Sequence, residues 1–89
     1  MLINLFILHT AWNVTGVNYM DSMFKGAKNF NQDISGWNVS QVEENDDMFA
    51  GAKSFNQNIG NWNVKRVIYY FHIFNGAIKM QENYKPNFN

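Results

Sequence analysis

Apolar positions return along this chain in one fixed order. Trp12, Val14, Val17, Met20, Met23, Phe24, Ala27, Phe30 and Ile34 form the first series. The order comes back from Trp37 as Val39, Val42, Met48, Phe49, Ala52, Phe55 and Ile59, and from Trp62 as Val64, Val67, Ile73, Phe74 and Ala77. The tryptophans are 25 residues apart, and no gap is needed to superpose residues 12–36, 37–61 and 62–86. The first two copies are identical at 14 of 25 positions, and the third matches each of them at 8. Self-similarity at this period marks a repeated structural unit, and it takes precedence over any local reading.

If each copy makes one turn of a coil, residue i lies over residue i+25 and like side chains stack in columns. Val14, Val39 and Val64 form one column, Val17, Val42 and Val67 another, and Phe24, Phe49 and Phe74 a third. Ala27, Ala52 and Ala77 run beside Gly26, Gly51 and Gly76, and Ile34 and Ile59 continue as Tyr84. Each copy then buries its apolar face only against its neighbours. Asparagines fall in columns too: Asn13, Asn38 and Asn63, then Asn31 with Asn56. Such amides predict ladders or satisfied turns.

Within a copy, Phe30, Gln32 and Ile34 alternate with Asn31 and Asp33 and predict a strand ending at Gly36, with a weaker extended arm over residues 14–17. Residues 21–28, with Asp21 as a cap and Met23, Phe24 and Ala27 on one side, predict a short helical or 3-10 turn. The predicted fold is a repeat solenoid of about three 25-residue turns, built from short parallel β-strands and short helical or 3-10 turns. Residues 1–11 are an N-terminal apolar cap or the residue of a degenerate repeat. Repeats occupy 12–36, 37–61 and, in degenerate form, 62–86, and 87–89 are a C-terminal tail.

The words W-N-V-S-x-V (37–42), M-F-x-G-A (23–27) and F-N-Q-D-I-S-x-W (30–37) resemble the repeat of BspA-like leucine-rich-repeat surface proteins, including the mycoplasma lipoprotein-type repeat. The resemblance implies a leucine-rich-repeat-like solenoid. It also implies a place on the cell surface or outside the cell, and a role in adhesion or host interaction. Departures accumulate along the chain. The family's Met at the ninth repeat position is Met20, then Asn45, then Tyr70, and Met80, Gln81 and Glu82 replace F-N-Q in the third copy. Residues 1–8 are apolar apart from Asn4, well short of the roughly 20 residues of a spanning helix. They also lack the basic flank and small-residue cleavage site of a signal peptide.

Composition narrows the function. Lys plus Arg and Asp plus Glu balance at 7 each, without the basic excess of a nucleic-acid binder. Cysteine is absent, so neither disulfides nor a thiolate metal site stabilises the chain. Aromatics at 17% exceed charged residues at 16%, the balance of a chain that packs. By copy, the formal charges are 0, −3 and +3.

The acidic cluster Glu43, Glu44, Asp46 and Asp47 lacks an EF-hand pattern and reads as a solvated face, so no metal is expected. His9 and His72 fall in different columns, and no nucleophile–base motif or phosphate-cradling loop is present. Neither a cofactor nor enzymatic activity is expected. The formal sequons at Asn13 and Asn38 arise from the repeat word.

The run 67–74 is apolar and aromatic where the second copy carries four acids. Only some of Ile68, Tyr69, Phe71 and Ile73 can face inward, and the tail 78–89 is the one local segment available to cover the others. With the neighbouring cations, Lys65, Arg66, Ile68, Tyr69 and Phe71 form the expected partner surface. The expected function is a non-enzymatic repeat module mediating protein or glycan interaction. The alternative is a structural fragment of a longer repeat array with no ligand of its own. Neighbouring repeats or a second copy are further partners; nucleic acid and a membrane span are not expected.

Overall fold

Backbone hydrogen bonds define how the copies lie on one another in the computed structural model, which describes residues 12–89. In the first copy, the N–H groups of Met20, Ser22, Phe24 and Gly26 donate to the carbonyls of Glu44, Asp46, Met48 and Ala50, at 2.8–2.9 Å. The residues between them donate within their own copy: Met23 to Met20, Lys25 to Ser22 and Ala27 to Phe24, at 3.0–3.3 Å. The second copy repeats the scheme. Asn45, Asp47, Phe49 and Gly51 donate to Tyr69, Phe71, Ile73 and Asn75, while Met48, Ala50 and Ala52 donate back to Asn45, Asp47 and Phe49. Every second N–H therefore closes a local turn, and every other one crosses to the next copy.

This alternation corrects the predicted fold class. Among the described residues there is no β-strand, sheet or α-helix. Two isolated parallel bridges, Tyr19 to Glu44 and Glu44 to Tyr69, and one 3-10 helix, Glu82–Tyr84, are the only regular elements. The protein is a compact, turn-rich globule of 28 × 25 × 21 Å, not a strand-bearing, leucine-rich-repeat-like solenoid.

Two local causes explain the difference. Residues 21–28 do not form a helical turn because Ser22 (φ 59°) and Gly26 (φ 72°) are left-handed, as are Asp47 and Gly51, then His72 and Gly76. A left-handed residue every fourth position stops the i to i−4 bonding of an α-helix. Residues 30–34 do not form a strand because a side chain stands where the ladder would run. Asn31 Oδ1 accepts from the Asn56 N–H at 2.8 Å and from Gln57 Nε2 at 3.0 Å, and the Asn31 carbonyl accepts from Gln57 Nε2 at 3.1 Å.

Columns of like residues do form, and they make the core. Phe24 stacks on Phe49 at 5.6 Å between ring centroids and Phe49 on Phe74 at 5.5 Å, with Phe30 on Phe55 alongside at 5.6 Å. Within copies, Phe24 lies 4.0 Å from Phe30 and Phe49 lies 4.3 Å from Phe55. Stacked rings of this kind contribute about 0.5–1.5 kcal/mol each beyond their buried area. Ile34 and Ile59 are fully buried, and the Ile59 N–H donates to the Tyr84 carbonyl, which extends their column. Trp37 and Trp62 are buried, Trp12 is 38% exposed, and Trp62 Nε1, at the start of the third copy, donates to the Ile34 carbonyl near the end of the first.

The asparagine columns divide into two roles. Asn31 and Asn56 bridge copies. Asn13, Asn38 and Asn63 instead accept from the N–H two residues on, at Thr15, Ser40 and Lys65, and so close their own turns. The apolar cap expected at 1–11 lies outside the described residues. After the 3-10 helix the chain folds back over the third copy, with the Phe88 ring 4.4 Å from that of Tyr70 and Lys85 Nζ 5.2 Å from the Phe74 ring centre.

Candidate interaction edge

The third copy carries its run of large apolar residues, 67–74, on a backbone held from the second-copy side. Its entry is fixed by the Asn63 turn and by the Val67 N–H, which donates to the Val64 carbonyl at 3.0 Å. The N–H groups of Ile68 and Tyr69 then converge on the Glu43 carbonyl, at 2.7 and 3.2 Å. Those of Glu43 and Glu44 converge in the same way on Asn18 one copy earlier. Beyond this anchor, the carbonyls of Tyr69 and Phe71 accept from Asn45 and Asp47, and the Phe71 N–H donates to Asp46 Oδ1 at 2.6 Å. The backbone of the run is thus held firmly on its second-copy side.

Its side chains are not covered. Ile68 is 64% exposed, Tyr69 56%, Tyr70 41% and Phe71 68%. The Phe71 ring stacks on His72 at 3.8 Å, and residues 68–72 line a shallow depression of about 420 Å³. Ile73 is buried and belongs to the core. The tail covers part of Tyr70 through Phe88. It leaves Ile68, Tyr69 and Phe71 in solvent.

Lys65 and Arg66 are exposed beside this patch. Arg66 Nη2 lies 3.7 Å from Glu43 Oε2, a partly solvated pair of the kind that contributes about 0–1 kcal/mol. Arg66 is therefore tied to the second copy, while Lys65 extends from its turn. All five residues read from the sequence as a partner surface lie on this edge.

The acidic residues of the second copy gain a neighbour that the sequence reading missed. Asp21 of the first copy joins Glu44 and Asp46, with one carboxylate oxygen from each within 4.8 Å of the others. The 25-residue register carries the signal, since Asp21 sits over Asp46. Two of these carboxylates already accept backbone N–H groups: Asp21 Oδ1 from Asp46, at 3.2 Å, and Asp46 Oδ1 from Phe71. Their chemistry here is that of cross-copy acceptors. The Asp33 carboxyl, in the first copy, is held below its ordinary range by hydrogen bonds from the Ser35 side chain and backbone. No helix among the described residues is long and apolar enough to cross a membrane.

A gapless repeat with stacked columns defines a repeat protein. The model of the family described as "Mycoplasma protein of unknown function, DUF285" matches residues 4–88, almost the whole chain, and the protein belongs to that family. No curated protein and no solved structure gives a significant match.

Proposed function

We propose that the chain is a non-enzymatic repeat module that binds a protein through its third-copy edge. The carrying observation is the run Ile68, Tyr69, Tyr70 and Phe71, four consecutive large side chains at 41–68% exposure on a backbone anchored from the other side. Exposed apolar side chains grouped in one patch mark an interaction surface. Aromatic residues are the side chains that most often dominate binding energy at such surfaces. Lys65 and Arg66 add positive charge at the border and favour a partner with an acidic rim. The likeness of the repeat words to BspA-like surface repeats, together with the Mycoplasma family, supports an extracellular site of action.

The test is retention of the source cell's surface proteins on immobilised chain. The reading expects a protein held by the wild type and by a Lys28→Ser control, and lost with Tyr69→Ser plus Phe71→Ser. Equal retention by all three, or none by any, contradicts it. A second reading, a structural segment with no ligand of its own, is favoured by the backbone groups that the third copy leaves without partners.

A further inference from the structure

The two faces of the stacked copies carry matching sets of backbone groups. Wherever one copy meets the next, N–H groups equivalent to Met20, Ser22, Phe24 and Gly26 donate to carbonyls equivalent to Tyr19, Asp21, Met23 and Lys25. This happens between the first and second copies and again between the second and third. In the third copy the corresponding donors are Tyr70, His72, Phe74 and Gly76, and none of these N–H groups has an acceptor among the described residues. In the first copy the carbonyls of Tyr19, Asp21, Met23 and Lys25 likewise have no donor among the described residues.

We propose that the third-copy edge takes as its partner a second copy of this chain, docked head to tail in the register that already joins the internal copies. The inference rests on the interaction-module reading and names its partner. In that register the N–H groups of Tyr70 and His72 donate to the carbonyls of Tyr19 and Asp21 in the second copy. Tyr69 then meets Tyr19, which is 63% exposed. Val14, Val17, Tyr19, Met20 and Met23, with Asp21 beside them, line a mostly apolar depression of about 190 Å³ on that receiving face.

Phe88 lies against part of the Tyr70 ring and Lys85 over the Phe74 ring. The contact therefore runs along the backbone edge and its outward side chains, and does not prolong the phenylalanine column. Pairing of this kind joins two turn-built edges through main-chain hydrogen bonds, as the internal copies are already joined. The two faces differ, so the contact is heterologous and molecules add in an open series.

Sedimentation velocity of the 89-residue chain over a range of concentrations, with two complementary edge variants, tests the proposal. Tyr69→Ser plus Phe71→Ser removes the donor edge. Val17→Ser plus Tyr19→Ser removes the acceptor edge. All four side chains are exposed, and thermal melts matching the wild type establish that both variants fold. The wild type should show a mass that rises with concentration, and each variant alone should need at least about 10-fold more protein for the same rise. An equimolar mixture of the two variants should give a species of twice the chain mass and no larger, because each keeps one intact edge. A wild type that stays monomeric to about 0.5 mM, a binding free energy weaker than about −4.5 kcal/mol, overturns the proposal, as does a mixture that remains monomeric. If the wild type is monomeric yet still holds a surface protein through Tyr69 and Phe71, self-pairing fails and the interaction-module reading stands. If it does neither, both fail.

Discussion

Asn45→Leu should stabilise the protein. Asn45 is the one buried polar residue among the core side chains, 2% exposed, and its Oδ1 has no hydrogen-bond partner among the described residues. It occupies the column of Met20, which is 4% exposed, so its surroundings are apolar by construction. A buried acceptor left unmade costs about 1–3 kcal/mol. Leucine has the same number of side-chain heavy atoms as asparagine and the same branching, so it removes the polar atoms while nearly keeping the shape. Its slightly larger tetrahedral branch costs less than the roughly 1–3 kcal/mol of inserting a whole methylene.

The net expectation is a gain of about 1–2 kcal/mol, or about 4–8 °C in Tm per kcal/mol for a domain of this size. The assay is urea unfolding followed by fluorescence of the buried Trp37 and Trp62, with Asn45→Asp as the opposing control. A charge at that site should destabilise strongly, because nothing there pairs with it. An unchanged or lowered midpoint for Asn45→Leu would refute the reasoning, since it would mean that Oδ1 is satisfied or that the site is too tight for leucine.

Phe49→Ala should cost about 3–5 kcal/mol, because its ring is fully buried between Phe24 and Phe74, while Phe74→Ala, half-buried at the edge of the column, should cost less; urea midpoints compare the two. Gly51→Ala should cost about 1–2 kcal/mol through its φ of +72°, a conformation strained for any L side chain, although the added Cβ would meet Gly26 only at ordinary contact, 3.7 Å; a thermal melt reads the loss. Asp33 has a depressed pKa in the folded protein, so its contribution to stability is present above the unfolded pKa and disappears as pH falls through the folded one. Ser35→Ala should raise that pKa toward the ordinary carboxylate value, as followed by the carboxyl carbon resonance, and should weaken the acid dependence with it.

Register was legible in the sequence because equivalent residues must suit a self-neighbour. Phe24, Phe49 and Phe74 stack as their spacing requires, and the Asn31–Asn56 pair bridges copies. Backbone conformation was not legible. Of the left-handed positions, Gly26, Gly51 and Gly76 carry glycine, but Ser22, Asp47 and His72 carry no such signal, and the Asp21, Met23, Phe24 and Ala27 spacing serves a succession of turns as well as it would a helix. Alternation at 30–34 correctly marked Phe30 and Ile34 as inward, but nothing in it showed that an amide would replace the ladder.

At the candidate edge, comparison with the acidic second copy singled out residues 67–74. The division between exposed Phe71 and buried Ile73 depended on the turns themselves. Asn45 was visible as a departure from Met20, while the isolation of its buried oxygen belongs to the packing. Asp21 reached the acidic group only through the fold-back of one copy on the next.

The central claim is that alternate backbone N–H groups cross from each copy to the following one. Residue-resolved hydrogen exchange on the folded chain, at a concentration where it is monomeric, tests this most directly. Slow exchange is expected at Phe24, Gly26, Asp47, Phe49 and Gly51, whose N–H groups reach the next copy, and fast exchange at His72 and Gly76, the unpartnered third-copy equivalents of Asp47 and of Gly26 and Gly51. Equal protection of equivalent positions in all three copies, or fast exchange at Phe24 and Phe49, would contradict the account.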